Sequence, residues 1–144
     1  PRALARLAGA LAAPAAEPTQ PHGELVIRTI AMPADTNANG DIFGGWLMSQ
    51  MDLGAAIIAK NLARSRVTTV AVDGMVFHHP VYVGDIVNCY ARLVRIGRTS
   101  MRVDIEAWVQ RGRDGTLLKV TEGIFTYVAI DDQGRPRPVH RDQP

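Results

Sequence analysis

Between about Gly44 and Ala63 the chain carries about twenty residues that read as one helix with apolar side chains around most of its circumference. Trp46, Leu47, Met48, Met51, Leu53, Ile57, Ile58 and Leu62 stand out, with alanines between them. A helix that is apolar nearly all round is buried on nearly all sides. The rest of the chain must therefore supply a surface able to wrap a rod ~30 Å long. Asp41 is a candidate cap for its first turn, and Lys60 and Arg64 lie near its last turn, where positive charge is favoured.

The wrapping surface follows in sequence. After Arg66 the apolar period changes from 3.6 to 2, which predicts strands over about Val67–Phe77, Asp85–Ile96, Ser100–Arg111 and Leu117–Ile130. Met101, Val103, Ile105, Ala107 and Val109 alternate with Arg102, Asp104, Glu106 and Gln110. Pro80 with Gly84, Gly97, and Asp114-Gly115 mark the turns. A further strand over Glu24–Ile30 precedes the helix, and Met32 to Asp41 between them is turn chemistry. The expected fold is α+β, an antiparallel sheet curled around one long helix. The helix and sheet edges left over call for a second copy of the chain.

The length suits one domain, predicted over residues 23–138. Residues 1–22 read as a flexible Ala/Pro-rich extension whose front, Arg2 to Ala12, can form a short helix, and residues 139–144 as a tail. An organelle presequence is the lesser alternative for the extension, which lacks serine. A formal charge of +2, scattered and without basic runs, suits a ligand with a few phosphates better than a nucleic acid. No stretch approaches the ~20 apolar residues of a membrane span. The lone Cys89 excludes an intrachain disulfide, and its place in an alternating run predicts a buried, inert thiol. His78 and His79, adjacent on a strand, point to opposite faces, so no metal site is expected.

Asp52 is the one acid on the helix. Its helical neighbours are Met48, Ala55, Ala56 and Ala59. A carboxylate on such a face needs either a structural partner or a use, and the alanines could leave room for a ligand. At the helix start, Gly44-Gly45 bares amides that could hold an oxyanion, although tight packing would also select glycine. Asn37 and Asn39, in the preceding loop, could orient a water or simply shape a turn. Ser49 could reach the face of Asp52, without a histidine on the helix to activate it.

The run Met32-Pro33-Ala34-Asp35-Thr36-Asn37-Ala38-Asn39-Gly40-Asp41-Ile42-Phe43-Gly44-Gly45-Trp46, continuing to Ser49-Gln50-Met51-Asp52, closely resembles hotdog-fold acyl-CoA thioesterases of the YciA-like type. Val70-Ala71-Val72-Asp73, Val83-Gly84-Asp85, Ile96-Gly97-Arg98-Thr99-Ser100 and Phe125-Thr126-Tyr127-Val128-Ala129 extend the likeness over about Gly23 to Pro138. The resemblance implies hydrolysis of acyl-CoA to free fatty acid and coenzyme A. Asp52 then matches the general base or nucleophile, Asn37 the residue positioning water or substrate, and the Gly45 amide the oxyanion donor. Gly44 and the segment Gly97, Arg98, Thr99 and Ser100 match substrate and coenzyme A contacts, with Arg98 able to reach a phosphate. No cofactor is implied, because coenzyme A is part of the substrate. A cytoplasmic homodimer or trimer of dimers is expected, with active sites at the dimer interface.

Gly45 and Asp52 are seven residues apart, ~10.5 Å along a helix axis. One helix hardly brings both to one reacting carbon; two antiparallel helices from two subunits can. The rival readings are a hotdog hydratase or dehydratase, and a non-hydrolytic acyl-CoA sensor. The first wants a histidine beside the acid, and none lies near Asp52 in sequence; the intact Asp52 argues against the second.

Overall fold

The computed structural model describes residues 20–139. The short helix expected over Arg2–Ala12 and the tail beyond residue 139 lie outside the described residues. The elements are β1 (Glu24–Ile30), a single 3-10 turn (Pro33–Asp35), α1 (Gly44–Ala63), β2 (Arg66–Phe77), β3 (Ile86–Ile96), β4 (Ser100–Gln110) and β5 (Leu117–Ile130). The strands form one antiparallel sheet in the order β1-β3-β4-β5-β2, so β1 and β2 are its edges. This is the α+β arrangement read from the sequence.

One stripe of α1 faces the sheet: Leu47, Met51, Gly54, Ala55, Ala59 and Ala63 are buried. They meet Val87, Cys89 and Ala91 of β3, Met101, Val103, Ile105, Ala107 and Val109 of β4, and Phe125, Tyr127 and Ala129 of β5. The small residues let the helix axis approach the strands closely. A Cβ on Gly54 would stand 2.7 Å from Val26 Cγ2. This corrects the expected role of two alanines: Ala55 and Ala59 are fully buried packing residues, and of the alanines flanking Asp52 only Ala56 is partly exposed.

The opposite face of α1 is not covered by its own chain. Leu53 is 60% exposed and Ile57 43%, one turn apart, and Val70 and Val76 of the edge strand β2 are likewise exposed. Isolated exposed apolar residues need no explanation, but a helix face continuous with an unpaired edge strand is what an oligomer interface covers.

The outer face of the sheet carries a buried polar knot. The carboxylate of Glu106 accepts from the His22 main-chain N–H at 3.1 Å and from Trp108 Nε1 at 2.9 Å, and lies 3.0 Å from His22 Nδ1. Lys119 Nζ stands 3.6 Å away. Burial pushes this carboxyl up; the hydrogen bonds from His22 and Trp108 and the charge of Lys119 outweigh it and hold the group below the usual range. The chain is thus already anchored at His22. At the other end Val139 is buried, and its N–H donates to Arg98 O. No helix among the described residues is long and apolar enough to cross a membrane.

Candidate active site

Asp52 is half-buried at the middle of α1 and is held from the sheet. Thr69 Oγ1 of β2 donates to Asp52 Oδ1 at 2.7 Å. The hydroxyl of Tyr127 on β5 reaches the same Oδ1 at 2.7 Å and the Asp52 main-chain oxygen at 2.9 Å. Thr69, Tyr127 and Met101 share one rung of the sheet, so both donors come from the same level. Burial, and then the hydrogen bond and charge of Asp52, push the Tyr127 phenol far above its ordinary range, which keeps it a neutral donor. Oδ2 carries no hydrogen bond among the described residues.

The start of α1 differs from expectation. Asp41 does not cap it. Its main chain is tied into the turn made by Asn37, whose N–H donates to Asp41 O and whose Oδ1 accepts from the N–H of Asn39 and of Asp41. The capping position falls on Phe43, which offers no side-chain acceptor. Among the described residues nothing accepts from the amides of Gly44 and Gly45, two of the donors a helix leaves unpaired at its start. The two glycines have different reasons. A Cβ on Gly44 would stand 3.2 Å from the Phe77 ring, tighter than ordinary contact. A Cβ on Gly45 would meet only the Phe43 ring, at an ordinary 3.4 Å. Packing within the chain explains Gly44 and does not explain Gly45.

Asn37 therefore shapes a turn with its carbonyl, and its side-chain N–H2 is the group it can offer outward. It lines a cavity of about 330 Å³ with Gly44, Leu47, Phe77, His78 and His79. Both histidines border it because β2 ends at Phe77 and the strand alternation that would have separated them ends there too. The far wall is clamped. Arg111 on the loop after β4 bonds both oxygens of buried Asp85, at 3.0 and 2.8 Å, and Pro80 O at 3.1 Å. Its guanidinium also lies 4.7 Å over the Tyr82 ring. Val81 O in turn accepts from Ile42 N–H, tying this wall to the entry of α1.

Gly97, Arg98, Thr99 and Ser100 form the turn between β3 and β4, with Gly97 N–H on Ser100 O and Ala129 N–H on Thr99 O. A Cβ at Gly97 would collide with Ser100 Oγ at 2.5 Å. The turn lies one rung beyond the level that holds Asp52, since Ser100 pairs with Val128 and Met101 with Tyr127. Arg98 is exposed there. Arg66, which begins β2, and Arg137, bonded to Ala129 O, flank the same end of the sheet.

One chain thus gathers its predicted site residues into two groups. Asp52, Thr69 and Tyr127 stand one rung from the Gly97–Ser100 turn; Asn37, Gly44 and Gly45 stand at the other end of β2, where Phe77 packs on Gly44. Thr69 and Tyr127 were missed in the sequence, where the one signal was a tyrosine in a strand position otherwise apolar, whose hydroxyl needs a partner. Ser49 Oγ donates back to Trp46 O, and no histidine is bonded to it among the described residues. Cys89 is buried, and desolvation pushes its thiol up to about 12. Among the described residues no three His, Cys, Asp or Glu side chains converge on a metal-sized site.

The family model of the thioesterase superfamily matches residues 39–116. The acyl-CoA thioester hydrolase YciA of Salmonella typhimurium is 61% identical over 122 residues, which cover 83% of this chain and 92% of the relative. The protein of the same name from Escherichia coli is 60% identical over 120 residues, covering 81% of this chain and 91% of its own. Among solved structures, a hexameric broad-specificity acyl-coenzyme A thioesterase superposes with a TM-score of 0.82 at 50% identity, covering 86% of each chain. The hexameric thioesterase of Yersinia pestis gives 0.81 at 60% identity, over 85% of this chain and 99% of that one. The chain belongs to the thioesterase superfamily, among its hotdog-fold acyl-CoA thioesterases of the YciA-like type.

Proposed function

We propose that the protein hydrolyses acyl-CoA at a site assembled from two copies of the chain, with Asp52 of one facing Asn37 and Gly45 of the other. The observation that carries this reading is the division of the site. Among the described residues Asp52 has an open carboxylate oxygen, while the Gly45 amide, open and with no packing reason to be glycine, stands at the other end of β2, beside the cavity that Asn37 and Gly44 line. The two groups are complementary halves, and the exposed Leu53 and Ile57 lie on the same helix between them and its end. The relatives described as hexameric thioesterases support an oligomer, and its unit in this reading is a dimer, alone or as a trimer of dimers.

A thioester is an activated acyl group, so hydrolysis needs an aimed water and a stabilised oxyanion and little else. Asp52 takes a proton from water as it attacks the thioester carbon. The carbonyl oxygen gains charge against the Gly45 amide, reinforced by the positive end of α1. The C–S bond breaks, and the proton held by Asp52 goes to the departing thiolate. The side-chain amide of Asn37 positions the water or the carbonyl. Arg98, with Arg66 and Arg137 nearby, supplies positive charge for the phosphates of coenzyme A. No cofactor or metal enters this scheme.

The test is release of free thiol from acyl-CoA by the wild type and by Asp52→Asn, with folding checked by circular dichroism. A general base contributes ~100-fold or more, so the variant should retain under a tenth of wild-type kcat. A folded variant above that level would remove Asp52 from the role. Wild-type protein that binds acyl-CoA without releasing thiol would instead be a sensor, and hydration of an enoyl thioester would mark a hydratase.

A further inference from the structure

We infer that Tyr127 is a positioning residue that decides which oxygen of Asp52 takes the proton. The inference rests on the reading of Asp52 as the base. A free carboxylate has two equivalent oxygens and rotates between them. Here two hydroxyls converge on Oδ1, each at 2.7 Å, from two different strands. An ionised carboxylate oxygen accepts both, because each hydroxyl has one proton to give. Short bonds of this kind to a charged acceptor are among the stronger ones. Oδ1 is thereby occupied, and Oδ2 is the oxygen left to take a proton from water.

Tyr127 does more of this than Thr69. Its ring is fully buried in the core beneath α1, so its hydroxyl arrives from a fixed direction, while Thr69 is exposed. Its hydroxyl also reaches the main-chain oxygen of Asp52 at 2.9 Å. The phenol has one proton, so the two contacts are a single shared bond, stronger toward the closer and charged Oδ1, and what it fixes is the rotation of the carboxylate. A tyrosine used only to fill the core would have no need of that hydroxyl, since phenylalanine fills the same space without a polar atom to satisfy.

Tyr127→Phe keeps the ring and deletes the positioning contact. Losing a hydrogen bond to a charged group corresponds to about tenfold or more in rate when the bond aligns the base. Tyr127→Phe should lower kcat about tenfold with KM within twofold. A residue that only fills the core would leave kcat unchanged in the folded variant, so the split between kcat and KM is the readout. Thr69→Val, which removes the other donor to Oδ1, should lower kcat severalfold with KM likewise held, and provides the readout if Tyr127→Phe does not fold. Asp52→Asn is measured alongside. If Asp52→Asn is inactive while folded Tyr127→Phe keeps wild-type kcat, Tyr127 is a core residue only and the inference is overturned. With Tyr127→Phe unfolded, wild-type kcat in Thr69→Val overturns it equally. If Asp52→Asn remains active, the assignment of the base has failed instead, whatever Tyr127→Phe does.

Discussion

Gly45→Ala separates two reasons for a glycine at the start of α1, because they predict opposite signs for stability and activity. Within the chain the added methyl meets only the Phe43 ring, at an ordinary 3.4 Å. No clash term arises, and alanine is favoured over glycine in a helix by up to about 1 kcal/mol, less in a first turn. That preference is largely the smaller backbone entropy alanine loses from the unfolded chain. The expected result is a protein as stable as the wild type or about 0.5 kcal/mol more so. Catalysis should move the other way, since the methyl stands beside the amide that faces the developing oxyanion. The N–H itself remains, so the loss comes from the methyl holding the carbonyl off it, with the removal of one such donor, about 10²–10³-fold in kcat or roughly 3–4 kcal/mol, as the upper bound. Thermal melts and thiol release measured on the same preparations give both numbers. Gly44→Ala is the internal contrast, because there the methyl presses on Phe77 at 3.2 Å and should lower stability. If Gly45→Ala is destabilised by more than 1 kcal/mol while its folded fraction turns over normally, Gly45 is a packing residue and the oxyanion role is wrong.

Arg111→Ala should cost about 2–3 kcal/mol, below the range for breaking a fully buried pair because the arginine is half exposed and Asp85 keeps the Tyr82 N–H; denaturant unfolding checks it, and a loss under 0.5 kcal/mol would show that the clamp carries no weight. Glu106 is held below its ordinary value near 4.5, so the stability it contributes is complete above that pH and is lost as pH falls through and below it. Glu106→Gln should therefore show a flatter stability profile than the wild type on acidification from about pH 6 to about pH 3, and parallel profiles would mean that the His22–Trp108–Lys119 knot does not depend on the charge.

Much of this fold was legible because its elements are long and strongly periodic. The apolar circumference of α1 and the alternation in β4 gave bounds that the structure moves by at most a residue or two. What escaped depends on pairing between distant segments. Tyr127 reaches Asp52 across 75 positions and Thr69 across 17, through a strand register that no local pattern encodes. Asp41 looked like a cap by residue type, but the Asn37 turn had already claimed its main chain. The alanines around Asp52 looked like space for a ligand, and the two that face the sheet are instead what lets the helix sit close to it. His78 and His79 lie just past the end of β2, so strand alternation does not govern them, and both border the cavity at the start of α1.

The central claim is that one working site draws Asp52 from one chain and Asn37 from another. Asn37→Ala and Asp52→Ala, each first shown to be nearly inactive alone, are unfolded and refolded together in equal amounts. Each site takes its asparagine and its aspartate from two independently drawn chains, so about a quarter of the sites should hold both native residues in any symmetric assembly. Thiol release should recover to about a quarter of the wild-type rate. A mixture that stays inactive, with mixed oligomers demonstrated by mass, would place both residues in the same chain's site and contradict the shared geometry.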